Sequence, residues 1–125
     1  MKILRRERAP RYCRQEGITS YLLASPRTSD ARHLTTTLVE IEPGGEQRVH
    51  SHAPEQIYFI LEGVGLMSVG AETEQVAAGD CILVPSEAPH GLRNNGDVIL
   101  RYFSAAAPSF TADQLERWWP LESTG

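Results

Sequence analysis

Turn residues break this chain before any apolar stretch outgrows a single β-strand. Pro43-Gly44-Gly45, Gly63, Gly65, Gly70, Gly79-Asp80, Pro85 and Asn94-Asn95-Gly96-Asp97 recur between runs such as Gln56–Glu62 (QIYFILE) and Cys81–Val84 (CILV). Short β-branched or aromatic runs between such breakers read as strands. About eight to ten fit, at 17–24, 33–41, 46–51, 56–62, 66–69, 73–76, 81–84, 91–93 and 98–104. Residues 56–62 are apolar on both faces, as a strand covered on two sides would be. Asn94–Asp97 reads as a hairpin turn. The expected fold is all-β, a jelly roll or small barrel. At 125 residues the chain is long enough for one domain with one core.

A helix is signalled only at the C-terminal end. Thr111-Ala112-Asp113-Gln114 fits a capping box, and Pro120 limits the extension. This helix is expected to plug one end of the barrel or to pack across a dimer interface. Tyr102, Phe103, Trp118 and Trp119 read as core or interface.

Charge separates the first fourteen residues from the rest. Lys2, Arg5, Arg6, Arg8, Arg11 and Arg14 supply six of the twelve basic residues, against Glu7 alone, while the whole chain carries −4. Residues 1–14 are therefore set apart as a basic arm, a tail or swapped edge segment, with 15–125 as the single domain. No nucleic-acid module accompanies the arm, so it reads as a solvated terminus or as packing on an acidic neighbouring subunit. Two cysteines do not make a disulfide framework, and Cys81, inside an apolar run, reads as a small core residue. No run approaches membrane-spanning length, and the N-terminus is charged where a signal would be apolar. A cytoplasmic protein, contacting neither membrane nor nucleic acid, is expected.

Chemistry concentrates in two stretches. His50 and His52 lie two apart in an extended-looking segment, where i and i+2 share a face and two imidazoles can grip one metal ion. His90 supplies a third imidazole from Gly79–Asn94 if the histidine-bearing strands lie side by side. Arg48, two before His50, shares its face and is a candidate for binding a substrate carboxylate. Tyr58 and Ile60 share the face of Gln56 and would line the cavity. His33, at the far start of its strand, is left out. Neither a nucleophile set, a phosphate-cradling loop nor a paired carboxylate is visible.

These residues resemble the cupin family. Its first motif, G-x5-H-x-H, three or four residues, E, six residues, G, is met by Gly44, His50, His52 and Gly63. Its second, G-x5-P-x-G-x2-H-x3-N, is met by Gly79, Pro85, His90 and Asn94. The fifteen residues between them match the short spacing common in microbial members, and the resemblance covers 34–104. It implies a double-stranded β-helix barrel, often dimeric, with one divalent metal inside. It further implies His50, His52 and His90 as ligands, with Gln56 where the family has a glutamate. Glu87 replaces the motif glycine two after Pro85.

Gln56 changes the expected chemistry. Three imidazoles and an amide oxygen leave the ion's charge uncompensated, which makes it a stronger Lewis acid. Such donors favour Zn, Ni, Cu or Fe, with Mn less suited. Glu55 is the runner-up ligand, re-aimed by a bulge; on a regular strand it faces away. The expected function is that of a small metal-dependent enzyme acting on an oxygen-rich small organic molecule, in a homodimer. Dioxygenase-type chemistry ranks first, because three histidines suit a redox metal, ahead of cyclisation, isomerisation and decarboxylation. The alternative is a non-catalytic domain that binds or senses a small molecule.

Overall fold

The computed structural model describes residues 1–14 and 17–120, with Arg14 described by its backbone alone. The boundary drawn between arm and domain, after residue 14, abuts residues 15 and 16, which lie outside the described residues. The chain runs through β1 (Arg11–Arg14), β2 (Ile18–Leu22), β3 (Thr35–Ile41), β4 (Glu46–His50), β5 (Glu55–Glu62) and β6 (Val64–Val69). It continues through β7 (Glu72–Ala77), β8 (Cys81–Val84), β9 (His90–Arg93), β10 (Leu100–Ala107) and α1 (Ala112–Trp118).

Two antiparallel sheets face each other as a jelly roll. One has six strands in the order β1-β2-β3-β10-β5-β8, the other four in the order β4-β9-β6-β7. In β3, three successive threonines followed by Val39 and Ile41 favour the pleated backbone, and burial alternates strictly along it. β10 alternates in the same way. Val39 and Ile41 of β3 and Leu100 and Tyr102 of β10, with Tyr58 and Ile60 of β5 and Met67 and Leu92 from the other sheet, make one continuous core. Ile41, Ile60 and Leu100 are fully buried there, and each contributes about 1.5–3 kcal/mol of apolar burial.

Gly63 shows why a motif glycine is fixed. Its φ is +87°, and a Cβ there would lie 2.6 Å from the Ile99 carbonyl oxygen. Neither the backbone conformation nor the space admits a side chain.

Three sequence expectations are corrected. Asn94–Asp97 is no hairpin, because β9 and β10 belong to different sheets. The segment is a corner between the sheets, anchored by buried Asn94, whose amide donates to the carbonyls of Ile41 and Val98 at 2.8 Å each. β5 is buried on one face only: Phe59 and Leu61 on its outer face stay 38% and 45% exposed. Cys81, opposite Phe59 on β8, is exposed rather than in the core, because its odd-numbered face of the sheet points outward.

The arm's last described residues form β1, which pairs with β2 at the sheet edge. Arg6 and Arg11 lie over the Tyr21 ring at 5.7 and 5.1 Å. At the other end, Thr111 and Gln114 form the expected capping box. The helix buries Leu115 against a second cluster of Leu22, Ala106, Phe110 and Trp119. Arg27 pins it, donating from Nη1 to the Leu115 and Trp119 carbonyls at 3.0 and 2.8 Å. Among the described residues, no helix is long and apolar enough to cross a membrane.

Candidate metal centre

β4 and β9 pair so that His50 lies opposite His90, after a register irregularity between Gln47 and His50. The strand then ends. His52 comes from the following loop, not from a strand position shared with His50. That loop is held by the turn of the second motif. The Glu87 N–H donates to the His52 carbonyl at 2.8 Å, and the Ser86 hydroxyl donates to the Ala53 carbonyl at 2.5 Å. Glu87 has φ +67°, the left-handed conformation that a glycine takes without strain.

The three imidazoles converge. Ring centroids are 4.3 Å apart for His50 and His90, 4.8 Å for His52 and His90, and 5.5 Å for His50 and His52. One nitrogen from each ring lies within 4.8 Å of the others. Each Nδ1 lies 2.9 Å from a backbone carbonyl: His50 from Arg48, His52 from Pro54, His90 from Ala88. A carbonyl only accepts, so Nδ1 of His52 and His90 carries the proton and Nε2 keeps its lone pair; at His50 the Arg48 carbonyl, closer than the Gln47 amide nitrogen at 3.3 Å, favours the same tautomer. Fixing the tautomer through the distal nitrogen is how proteins prepare histidine for a metal.

Two further observations fit a cation. His90 is fully buried, and its Nε2 has no hydrogen-bond partner. His52 Nε2 faces Gln56 Oε1 at 2.9 Å. With Nδ1 protonated both atoms are acceptors, and a shared cation reconciles them. Burial lowers the His90 pKa from 6.5 to about 4, with His50 and His52 adding to the shift and the Ala88 carbonyl opposing it. His90 is thus neutral, the form that ligates.

Gln56 is buried while Glu55 is exposed, as strand alternation requires. The Gln56 amide donates to Ser104 Oγ at 3.1 Å, and Ser104 Oγ lies 2.5 Å from Thr37 Oγ1. His50, His52 and Gln56 border a cavity of about 290 Å³, whose wall also includes Tyr58, Tyr102 and Phe110. Tyr58 stacks on Tyr102 with centroids 4.4 Å apart, and Phe110 meets the His52 ring edge-on at 5.0 Å. Tyr12, Trp118 and Trp119 complete the wall from the two ends of the chain.

Arg48 also borders the cavity, but as an exposed residue. Because of the irregular register, it is the Gln47 amide that reaches His50, 3.3 Å from Nδ1. Ile60, expected on the wall, is instead fully buried in the core and absent from the cavity lining. Thr37 and Ser104 escaped the sequence reading. Their signal was present: Thr37 shares a strand face with Val39 and Ile41, a hydroxyl where the pattern asks for an aliphatic residue.

A two-sheet jelly roll with three imidazoles gathered from β4, its loop and β9 defines the class, and the chain belongs to the cupin family. The model of the Cupin domain matches residues 37–106. The chain is 36% identical over 74 residues to an uncharacterized protein of Methanocaldococcus jannaschii, covering 58% of this chain and 59% of that one. It is 28% identical over 81 residues to the dimethylsulfoniopropionate lyase DddW of Ruegeria pomeroyi, covering 65% and 53%. The match thus spans little more than half the length of these relatives. Among solved structures, the polyketide cyclase RemF of Streptomyces resistomycificus superposes with a TM-score of 0.74 at 23% identity, over 93% of this chain and 91% of that one. At that identity the likeness is one of fold.

Proposed function

We propose that the protein is a metal-dependent enzyme, holding one divalent ion on His50, His52, His90 and the Gln56 oxygen. Its substrate is a small, oxygen-rich organic molecule with a flat or apolar body. The observation that carries this reading is the tautomer set: three carbonyls at 2.9 Å favour Nδ1 protonation, leaving the Nε2 lone pairs for a cation in a cluster with one nitrogen from each ring within 4.8 Å of the others. A bound ion supplies Lewis acidity to a substrate oxygen, and redox chemistry if it is Fe or Cu.

The chain's own residues do the rest. The stacked Tyr58 and Tyr102, with Phe110, offer faces for a planar or apolar body and keep water from it. Arg48, at the rim, suits a substrate carboxylate. Three imidazoles and a neutral amide favour Fe, Ni, Cu or Zn over Mn. The dimethylsulfoniopropionate lyase among the similar proteins supports an enzymatic reading. A redox ion would favour the dioxygenase branch.

The test begins with elemental analysis of protein purified without added metal. A panel of hydroxy acids, hydroxy ketones and enolisable aromatics is then assayed for turnover and oxygen uptake, before and after chelation. The expected result is one ion per chain and turnover that is lost on chelation and restored by metal. Turnover indifferent to chelation, or a chain that takes up no ion, would overturn the reading.

A further inference from the structure

The cavity wall facing the histidines carries a hydrogen-bonded chain that the metal reading does not by itself require. Gln56, Ser104 and Thr37 come from β5, β10 and β3, adjacent strands of the six-stranded sheet. All three side chains are buried. Gln56 Nε2 donates to Ser104 Oγ at 3.1 Å, Ser104 Oγ and Thr37 Oγ1 are 2.5 Å apart, and Gln56 Oε1 faces His52 Nε2 at 2.9 Å.

An amide has a donor end and an acceptor end, and either could face the histidines. A hydroxyl holds one proton and can either donate to the amide or accept from it. With its proton directed to Thr37, Ser104 offers Gln56 only a lone pair. The amide then places N–H towards Ser104 and oxygen towards His52. If Ser104 donated to Gln56 instead, the amide would turn over. Its NH2 would satisfy His52 Nε2 and put a donor where a cation needs a lone pair.

The geometry points to Thr37 and Ser104 as positioning residues: by accepting a hydrogen bond from the Ser104 hydroxyl, Thr37 fixes the Gln56 amide with its oxygen towards the three imidazoles. This inference rests on the proposed metal site. It assigns a role to Thr37, which touches neither a histidine nor the amide in the hydrogen-bond chain. It also makes a claim particular to glutamine. A carboxylate at position 56 accepts at both ends, so Ser104 would donate to it directly and no longer need Thr37 as acceptor.

The experiment titrates the metal-free full-length chain with Co2+. Affinity is read by chelator competition and coordination by the visible spectrum. The proteins are wild type, Thr37→Val, Thr37→Ser, Ser104→Ala, Gln56→Glu and the Thr37→Val/Gln56→Glu double variant, each checked for fold by circular dichroism. Thr37→Val and Ser104→Ala should weaken Co2+ binding about 10- to 100-fold, the usual effect of losing a group that orients a ligand. Both should alter the spectrum, and Thr37→Ser should restore the wild-type values. In the Gln56→Glu background Thr37→Val should lose its effect, a coupling that a packing defect would not produce. Wild-type affinity and spectrum in Thr37→Val, or an equal loss in both backgrounds, would overturn the inference while leaving the metal site standing. Failure of the wild type to bind Co2+ would instead remove the metal reading itself. If Thr37→Val does not fold, Ser104→Ala carries the test, with wild-type affinity and spectrum again the overturning result.

Discussion

The two sheets do different work. The six-stranded sheet is regular beside the site: β3 and β10 alternate between buried and half-buried residues along almost their whole length, and the one register shift of the β10–β5 pair, between Arg101 and Tyr102, lies at the end away from Gln56. Its inner face supplies the aliphatic floor of the core, the Tyr58–Tyr102 pair and the Gln56–Ser104–Thr37 chain. The four-stranded sheet is more open in β4 and β7, with no buried residue in the first and one in the second, while three of the four residues of β9 are buried. Yet His50 and His90 stand on it, opposite one another past an irregularity in the β4–β9 register. At the site, the regular β3–β10–β5 stretch holds orientation, and the irregular β4–β9 pairing re-aims side chains. Bulged pairings are used in this way next to functional sites.

Removing the imidazoles breaks this comparison hardest. His50→Ala and His90→Ala should each lower metal affinity by more than about 100-fold, roughly a quarter of the binding energy of a four-ligand site. The two should separate in the metal-free protein. His90 is fully buried and His50 is not, so urea midpoints should fall further for His90→Ala. Equal midpoints would mean that the four-stranded sheet tolerates a void as well as it tolerates exposure.

Adjacent residues on β5 test the inside and outside of the regular sheet. Ile60→Ala empties a fully buried position and should cost about 3 kcal/mol. Leu61→Ala, on the 45% exposed outer side, should stay within about 0.5 kcal/mol in the isolated chain. A large, concentration-dependent loss for Leu61→Ala would instead reveal that a second copy covers this face.

The same contrast decides how much was legible. Strands of the regular sheet could be read because side-chain period and burial agree. Thr35–Ile41 lies inside the predicted 33–41, and Glu55–Glu62 extends the predicted 56–62 by one residue. The terminal capping box was equally local, and Thr111 and Gln114 form it as written. Three histidines in family spacing announced a cluster. Their route to it was hidden, because a register irregularity leaves no mark in residue type and because His52 is aimed by hydrogen bonds from residues 86 and 87, far along the chain. The exposed face of Phe59 and Leu61 was hidden for a related reason. An apolar run says which residues avoid water and not what lies on each side of them.

Acidification sharpens the role of His90. Its pKa in the folded chain is about 4, against 6.5 for an ordinary imidazole. As pH falls below 6.5 the unfolded state takes up the proton first, so the stability held above that pH is lost progressively towards pH 4. Between pH 7.5 and 4.5 the metal-free protein should lose about 2–3 kcal/mol from this group. Urea titrations of chelated wild type and His90→Phe at both pH values check it, since only the wild type carries this loss. Equal pH dependence in the two would place the acid sensitivity elsewhere.

The smallest effect concerns the turn that ties the two motifs together. Glu87 occupies φ +67°, where its Cβ crowds the backbone and a glycine does not. Its own N–H holds the His52 carbonyl, and that bond does not depend on the side chain. Glu87→Gly therefore relieves about 1–2 kcal/mol of conformational strain and adds back up to about 1 kcal/mol of unfolded-state entropy. The net expectation is a gain centred on about 1 kcal/mol in urea denaturation, with Co2+ affinity unchanged. If affinity falls instead, the glutamate side chain, and not the backbone turn alone, is what keeps His52 in place.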